Sequence, residues 1–282
     1  MFGGLSNLLG FKGRRLDPNA GALTIAGGRA MGFGIGGKPI DEILTPLTDV
    51  DPVNEEMTVA DGYALFAGGT DDILIADGDH LDATDLGAGA MWNIWVQPDA
   101  LGSIFPAMWK DGEYKLEMNA SNKFAFYVYD AEGDYVGMVM DTAITNPALW
   151  YNIQAFWDGS AITMQTYSQT TGIVTAATAD DSGVFGTWTA NANDLYIGKE
   201  NANFAAGKMR GAVILSEDVN LLGRPTTLKS VVRAYSGINN SLPSFNNFYT
   251  YYNLAAPTSV SLWASLQLDA VDDSGLNTLV LE

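Results

Sequence analysis

The constraint that narrows the fold most is a succession of short apolar runs of period two, each stopped by a turn signal, between Val59 and about Leu222. Alternation of this kind puts successive side chains on opposite faces, so each run reads as a strand with a buried side. Ile73–Ile75 follows a Gly-Gly-Thr-Asp-Asp turn, and Met91–Val96 stops at Pro98. Tyr114–Met118 follows the Lys110-Asp111-Gly112 turn, and Phe124–Tyr129 returns as Tyr135–Met140 across Asp130-Ala131-Glu132-Gly133-Asp134. Trp150–Trp157 closes on Asp158-Gly159, Ile162–Tyr167 and Gly172–Ala177 read as a hairpin, and Leu195–Gly198 and Met209–Leu215 complete the set. Even spacing with almost no helix signal predicts an all-β fold, an antiparallel jelly-roll sandwich with an extended N-terminal arm.

Around this body the chain divides into residues 1–58, a Gly-rich basic arm and connector, 59–222, the jelly roll, and 223–282, a connection and a strand completing the sandwich. The connection carries Pro225, Pro243 and Pro257, with a short helix expected at Leu228–Tyr235. Residues 1–40 hold 11 of the 31 glycines, and ordering them costs too much backbone entropy for the arm to fold alone. Its apolar residues Phe2, Leu5, Leu8, Leu9 and Phe11 and its basic residues Lys12, Arg14 and Arg15 are the expected assembly contacts. Gly32–Gly37 fits G-x-G-x-x-G, but no βαβ pattern surrounds it, so a dinucleotide site is excluded. In residues 39–58, Pro39, Pro46 and Pro52 block long regular structure.

Charge separates the arm from the body. Five basic residues against Asp17 give residues 1–40 a net of +4, which leaves −23 to the remainder of a chain totalling −19. So acidic a body repels nucleic acid, whereas the arm could engage an acidic surface, including another copy of the body, or simply be solvated. No apolar stretch approaches the length that spans a bilayer, and basic residues follow the first apolar run where a secretory signal would have them precede it. No membrane partner is expected.

The stretch from Tyr63 to Ala100 resembles the opening of a LamG-type domain of the concanavalin A-like lectin/glucanase group. The resemblance continues through Lys110–Tyr114, Leu149-Trp150-Tyr151-Asn152, Trp157-Asp158-Gly159 and Leu195-Tyr196-Ile197-Gly198. In the family the closing strand reads Gly-x-Ile-Asp-Glu-Val; here it is Gly207-Lys208-Met209-Arg210-Gly211-Ala212, so Arg210 and Gly211 replace two acids. Leu262–Asp269 resembles a strand flanking LamG modules in viral and microbial proteins. The resemblance covers about residues 59–282 and implies a jelly roll, of the kind also found in phage structural proteins.

Catalytic chemistry finds little support. Cysteine is absent and His80 is the only histidine, which excludes Cys-His and Ser-His-Asp sites and zinc held by several such ligands. The family's glucanases present paired carboxylates on one strand, a pattern missing here, so no enzyme activity is expected. No cofactor is required; calcium is the one the acidic loop invites, through Asp71, Asp72, Asp77 and Asp79 with Asp82 nearby, against the plainer reading of a solvated loop. Trp95, Tyr127, Tyr129, Asn152, Gln154 and Tyr167 combine rings with amides, as a sugar-binding surface does; the reading favoured over it is a face buried on both sides, with Trp95 and Trp150 inside, because tryptophan usually goes inside. The resulting expectation is a structural virion protein, a capsid decoration or tail-associated component of a bacteriophage, made in the host cytoplasm. Its partners would be other virion proteins and copies of itself in a homo-oligomer. The other expectation is an extracellular lectin-like module for surface glycans.

Overall fold

The structure, a computed structural model, describes residues 24–25, 29–30, 63–82, 89–157, 161–168, 170–183, 186–188, 190–215, 229, 232–233, 236, 260–264, 266, 274 and 279–281. The proposed arm contacts from Phe2 to Arg15 and the connector 39–58 lie outside the described residues. Two short strands, β1 (Thr24–Ile25) and β2 (Arg29–Ala30), pair with each other.

The body is an all-β, antiparallel sandwich. The first sheet runs in the order β12 (Gly172–Val174), β11 (Ile162–Ser168), β10 (Tyr151–Trp157), β5 (Ala90–Pro98), β17 (Ala206–Leu215) and β18 (Leu262–Ala264). A further strand, β3 (Ala64–Ala67), pairs with Ala206–Met209 of β17, while β18 pairs with Ala212–Ile214. The second sheet runs β13 (Ala177–Ala179), β9 (Tyr135–Met140), β8 (Phe124–Tyr129), β7 (Tyr114–Met118), β6 (Phe105–Lys110), β14 (Leu195–Ile197), β4 (Ile73–Ile75) and β19 (Leu279–Leu281). A small ribbon of β15 (Lys199–Glu200) and β16 (Asn203–Phe204) stands beside them. The C-terminal part thus supplies a strand to each sheet, where the sequence suggested one.

Alternation explains the core. Trp92, Ile94 and Val96 of β5 face inward with Ile153 and Ala155 of β10, against Tyr114 and Leu116 of β7 and Phe126 and Val128 of β8. Trp92 packs its ring 4.5 Å from Phe126 and 5.3 Å from Tyr114 between centroids. The buried Tyr114 hydroxyl donates to the Leu81 carbonyl at 3.1 Å, so its polar end is satisfied.

Two departures from the sequence reading have local causes. Strand β6 carries Pro106, which masks it in the sequence; the ladder with β7 shifts register between Pro106 and Met108, and a bulge is where a strand tolerates proline. Gly172–Ala177 is not one strand. Val174 and Ala177 both pack against the core, and a spacing of three cannot keep two residues on one face of a period-two strand. The chain breaks there and crosses from β12 in the first sheet to β13 in the second. Lys229, Val232, Arg233 and Ser236 are helical, in the region where a short helix was expected.

Candidate functional site

The outward face of the first sheet is the surface that the sequence offered for sugar, and the chain itself covers it. Trp95, Asn152, Gln154 and Tyr167 do share this face, and all are buried. Asn93 lies at its centre. Its Nδ2 donates to the Gly211 carbonyl and to Ser236 Oγ, both at 2.9 Å, and its Oδ1 accepts from Asn152 Nδ2 and Gln154 Nε2, also at 2.9 Å. Gln154 Nε2 also donates to the Lys229 carbonyl at 2.8 Å, and Trp95 Nε1 to the Arg233 carbonyl at 3.2 Å. The ring and amides therefore serve the Arg233 and Lys229 carbonyls and the Ser236 hydroxyl. The face is not an open sugar site. Tyr127 and Tyr129 do not belong to it at all, since they lie on β8 across the sandwich.

Arg210 and Gly211 both have a packing role at this face. The Arg210 guanidinium lies 4.6 Å from the Trp150 ring and 5.7 Å from the Trp95 ring, a cation stacked on aromatic faces. Gly211 adopts φ +59 where the ladder with β5 shifts, and a Cβ there would run into the Ser236 backbone. Arg233 packs over Tyr167 at 5.1 Å, and burial pulls its pKa down to about 10, with the Tyr167 charge opposing.

The acidic loop is organised by lysines. Asp71 accepts from the Ala67 amide at 2.8 Å, Asp72 pairs with Lys199 at 3.3 Å, and Asp79 opens a single 3-10 turn, Asp79–Leu81. Asp77 pairs with Lys110. The four do not converge, and among the described residues no group of three or more acids or histidines is arranged to hold a metal ion. The oxygens in this region that do converge surround the Lys110 ammonium. That group is fully buried and contacts Asp77 at 2.9 Å, Asp82 at 3.0 Å, Glu113 at 2.7 Å, and the carbonyls of Asn191 at 3.2 Å and Asn193 at 2.8 Å. Burial alone would lower its pKa; the hydrogen bonds to Asp77, Glu113 and Asp82 outweigh that and raise it, so the cation is held charged.

Above this cage the outward face of the second sheet opens into a depression of about 310 Å³, lined by Trp109, Asp111, Ala192, Asn193, Asp194, Tyr196, Lys199 and Asn201. Trp109 and Tyr196 are cross-strand partners on β6 and β14, with ring centroids 5.7 Å apart and planes 32° from parallel. Neighbouring strands thus present two half-buried rings side by side, with side-chain amides and carboxylates around them. Lys110 fixes this rim: the 191–193 segment hangs on its ammonium, and Asp194 Oδ1 accepts the Asp77 amide at 2.9 Å. Lys199 lies 4.5 Å over the Tyr196 ring. Alternation could have identified Tyr196, between the inward Leu195 and Ile197; Trp109 was hidden with its strand by Pro106.

Farther across the same face, Tyr127 donates to Asp180 at 3.0 Å and stacks edge-on to Tyr135, while Tyr129 also meets Tyr135. Beside them Lys115 pairs with Glu117 at 3.3 Å and Glu200 at 2.9 Å. Burial pushes the Glu117 carboxyl up to about 7, Lys115 opposing and Glu200 adding to the shift. Glu117 and Glu200 thus share one ammonium, which lies between the two carboxyls.

No protein-family model and no curated protein matches the sequence. Solved structures to which the chain is similar include a Bacteroides ovatus protein assigned to carbohydrate binding, at 12% identity and TM-score 0.48, covering 79% of this chain and 60% of that one. Another is the CBM40 of the Ruminococcus gnavus IT-sialidase bound to α2,3 sialyllactose, at 12% identity and TM-score 0.37, covering 52% of this chain and 88% of that one. A third is full-length tailspike protein 2 of the Escherichia coli O157:H7 bacteriophage CAB120, at 13% identity and TM-score 0.36, covering 78% of this chain and 31% of that one. The chain spans about three fifths of the length of the Bacteroides protein.

Proposed function

We propose that this chain is a non-catalytic jelly-roll module that binds glycan in the Trp109/Tyr196 depression. The observation that carries the reading is the pair of adjacent half-buried rings bordered by Asp111, Asn193, Asp194 and Asn201. Sugars present apolar C–H faces and a rim of hydroxyls, so a ring platform with side-chain oxygens and amides matches them, and the rigid strands hold it preformed. A glycan array with the wild-type protein and Trp109→Ala tests this. Saturable binding of one sugar class, lost in the variant with unchanged circular dichroism and melting, supports it; wild-type protein that binds no glycan refutes it.

A second reading is a structural component of a virion, and the charge split favours it: +4 on residues 1–40 against −23 on the rest. The basic arm of one copy would lie on the acidic body of another, or on a neighbouring virion protein. Sedimentation of the chain lacking residues 1–40 tests it. A folded monomer where the full chain forms oligomers supports the reading, and unchanged assembly refutes it.

A further inference from the structure

The proposed glycan site has a charge, and the charge implies a class of sugar. Asp111, Asp194 and Lys199 line the depression. The Lys199 cation is already engaged by Asp72 and by the Tyr196 ring. Directly behind, the Lys110 cage holds Asp77, Asp82 and Glu113, and it is tied to the lining through the Asn193 carbonyl and through the Asp77 amide on Asp194. This connected group contains six carboxylates and two ammoniums, a net of −4. The next cluster along the face, Lys115 with Glu117 and Glu200, adds no positive charge. Charge of one sign beside low-dielectric walls concentrates ligands of the opposite sign.

We propose that the Trp109/Tyr196 depression selects glycans carrying free amino sugars, whose ammonium sits among Asp111 and Asp194, and disfavours glycans carrying sialic or uronic acids. The ring platform takes the sugar's C–H face, and the acids take its nitrogen. Asp111 is the more exposed of the two, so it is the first contact for an incoming cation.

The inference rests on the glycan reading, and two measurements separate the fates of the two. The first needs no glycan. Quenching of Trp109 fluorescence, isolated as the difference between wild type and Trp109→Phe, is compared for caesium and iodide, each relative to free tryptophan amide. Caesium should be the more effective by about threefold or more at low salt. Equal quenching, or preference for iodide, overturns the charge assignment whether or not any sugar binds. The second is calorimetric titration at pH 6 with oligomers of glucosamine, N-acetylglucosamine and galacturonate of equal length. The glucosamine oligomer should bind about tenfold more tightly than the galacturonate oligomer. That ratio should shrink in 0.5 M salt, where the Debye length is about 4 Å, and fall in Asp111→Asn. Equal affinities, or tighter binding of galacturonate, overturn the proposal. So does tighter binding of a peptide of residues 9–16, which would assign the face to the arm of another copy.

Discussion

Replacing Lys110 by methionine keeps the apolar stem and removes the charge that five oxygens share. Asp77, Asp82 and Glu113 would then face one another without a cation, and the carbonyls of Asn191 and Asn193 would lose their donor. Removing one partner of a buried ion pair costs about 3–5 kcal/mol. The Asp77 side chain retains 28% exposure and can partly rehydrate, while Glu113 is fully buried, so about 4 kcal/mol is the reasoned value. For a domain of this size each kcal/mol lowers the melting temperature by about 2–4 °C, giving a drop of about 8–16 °C. Urea and thermal unfolding followed by tryptophan fluorescence measure it, with Lys208→Met, a half-buried lysine over Tyr63, as the control expected to lose no more than about 1 kcal/mol. The wild-type contribution has a defined pH window. A raised lysine pKa stabilises the fold fully below the unfolded value of 10.5 and is lost as pH rises through the higher folded value. If Lys110→Met unfolds within about 1 kcal/mol of wild type, the cage does not hold the rim together and the reasoning fails.

Glu117→Gln should flatten the pH dependence of stability. The Glu117 pKa is raised from 4.5 to about 7, so the folded state binds the proton more tightly and wild type loses about 1–3 kcal/mol as pH climbs through that interval; identical pH profiles in urea melts would count against it. Trp95→Ala should cost about 3–5 kcal/mol of stability while leaving glycan affinity unchanged, because Trp95 is buried on the first sheet, bonded to the Arg233 carbonyl and away from the depression; loss of binding with intact stability would reverse the assignment of faces. Gly211→Ala should destabilise by about 2 kcal/mol or more through its positive φ and the closeness of Ser236, read by the same melts.

The sandwich was legible because its strands alternate cleanly, as in Phe124–Tyr129 and Tyr151–Trp157, and their turns carry glycine at positive φ, as at Gly112 and Gly133. What the sequence concealed was which polar residues meet which partners. Asn93, Asn152 and Gln154 have the composition of a sugar site, yet they bond to one another and, through Asn93 and Gln154, to the Ser236 hydroxyl and the Lys229 carbonyl more than 70 residues distant, and nothing in a period-two pattern announces a cover. The acidic loop likewise looks like a cation site, and its cation is Lys110, a residue that sequence reading assigns to a turn. Trp109 lay in a strand disguised by Pro106, so the ring pair it forms with Tyr196 emerged only from register.

A crystal structure of the protein soaked with the tightest ligand from the glycan array tests the central claim most directly. The account predicts a sugar ring stacked on Trp109 or Tyr196, with hydrogen bonds to Asp111, Asn193, Asp194 or Asn201. A sugar seated instead in the second depression, of about 380 Å³ beside Ile104 and Phe204, or on the edge of the first sheet, would contradict it.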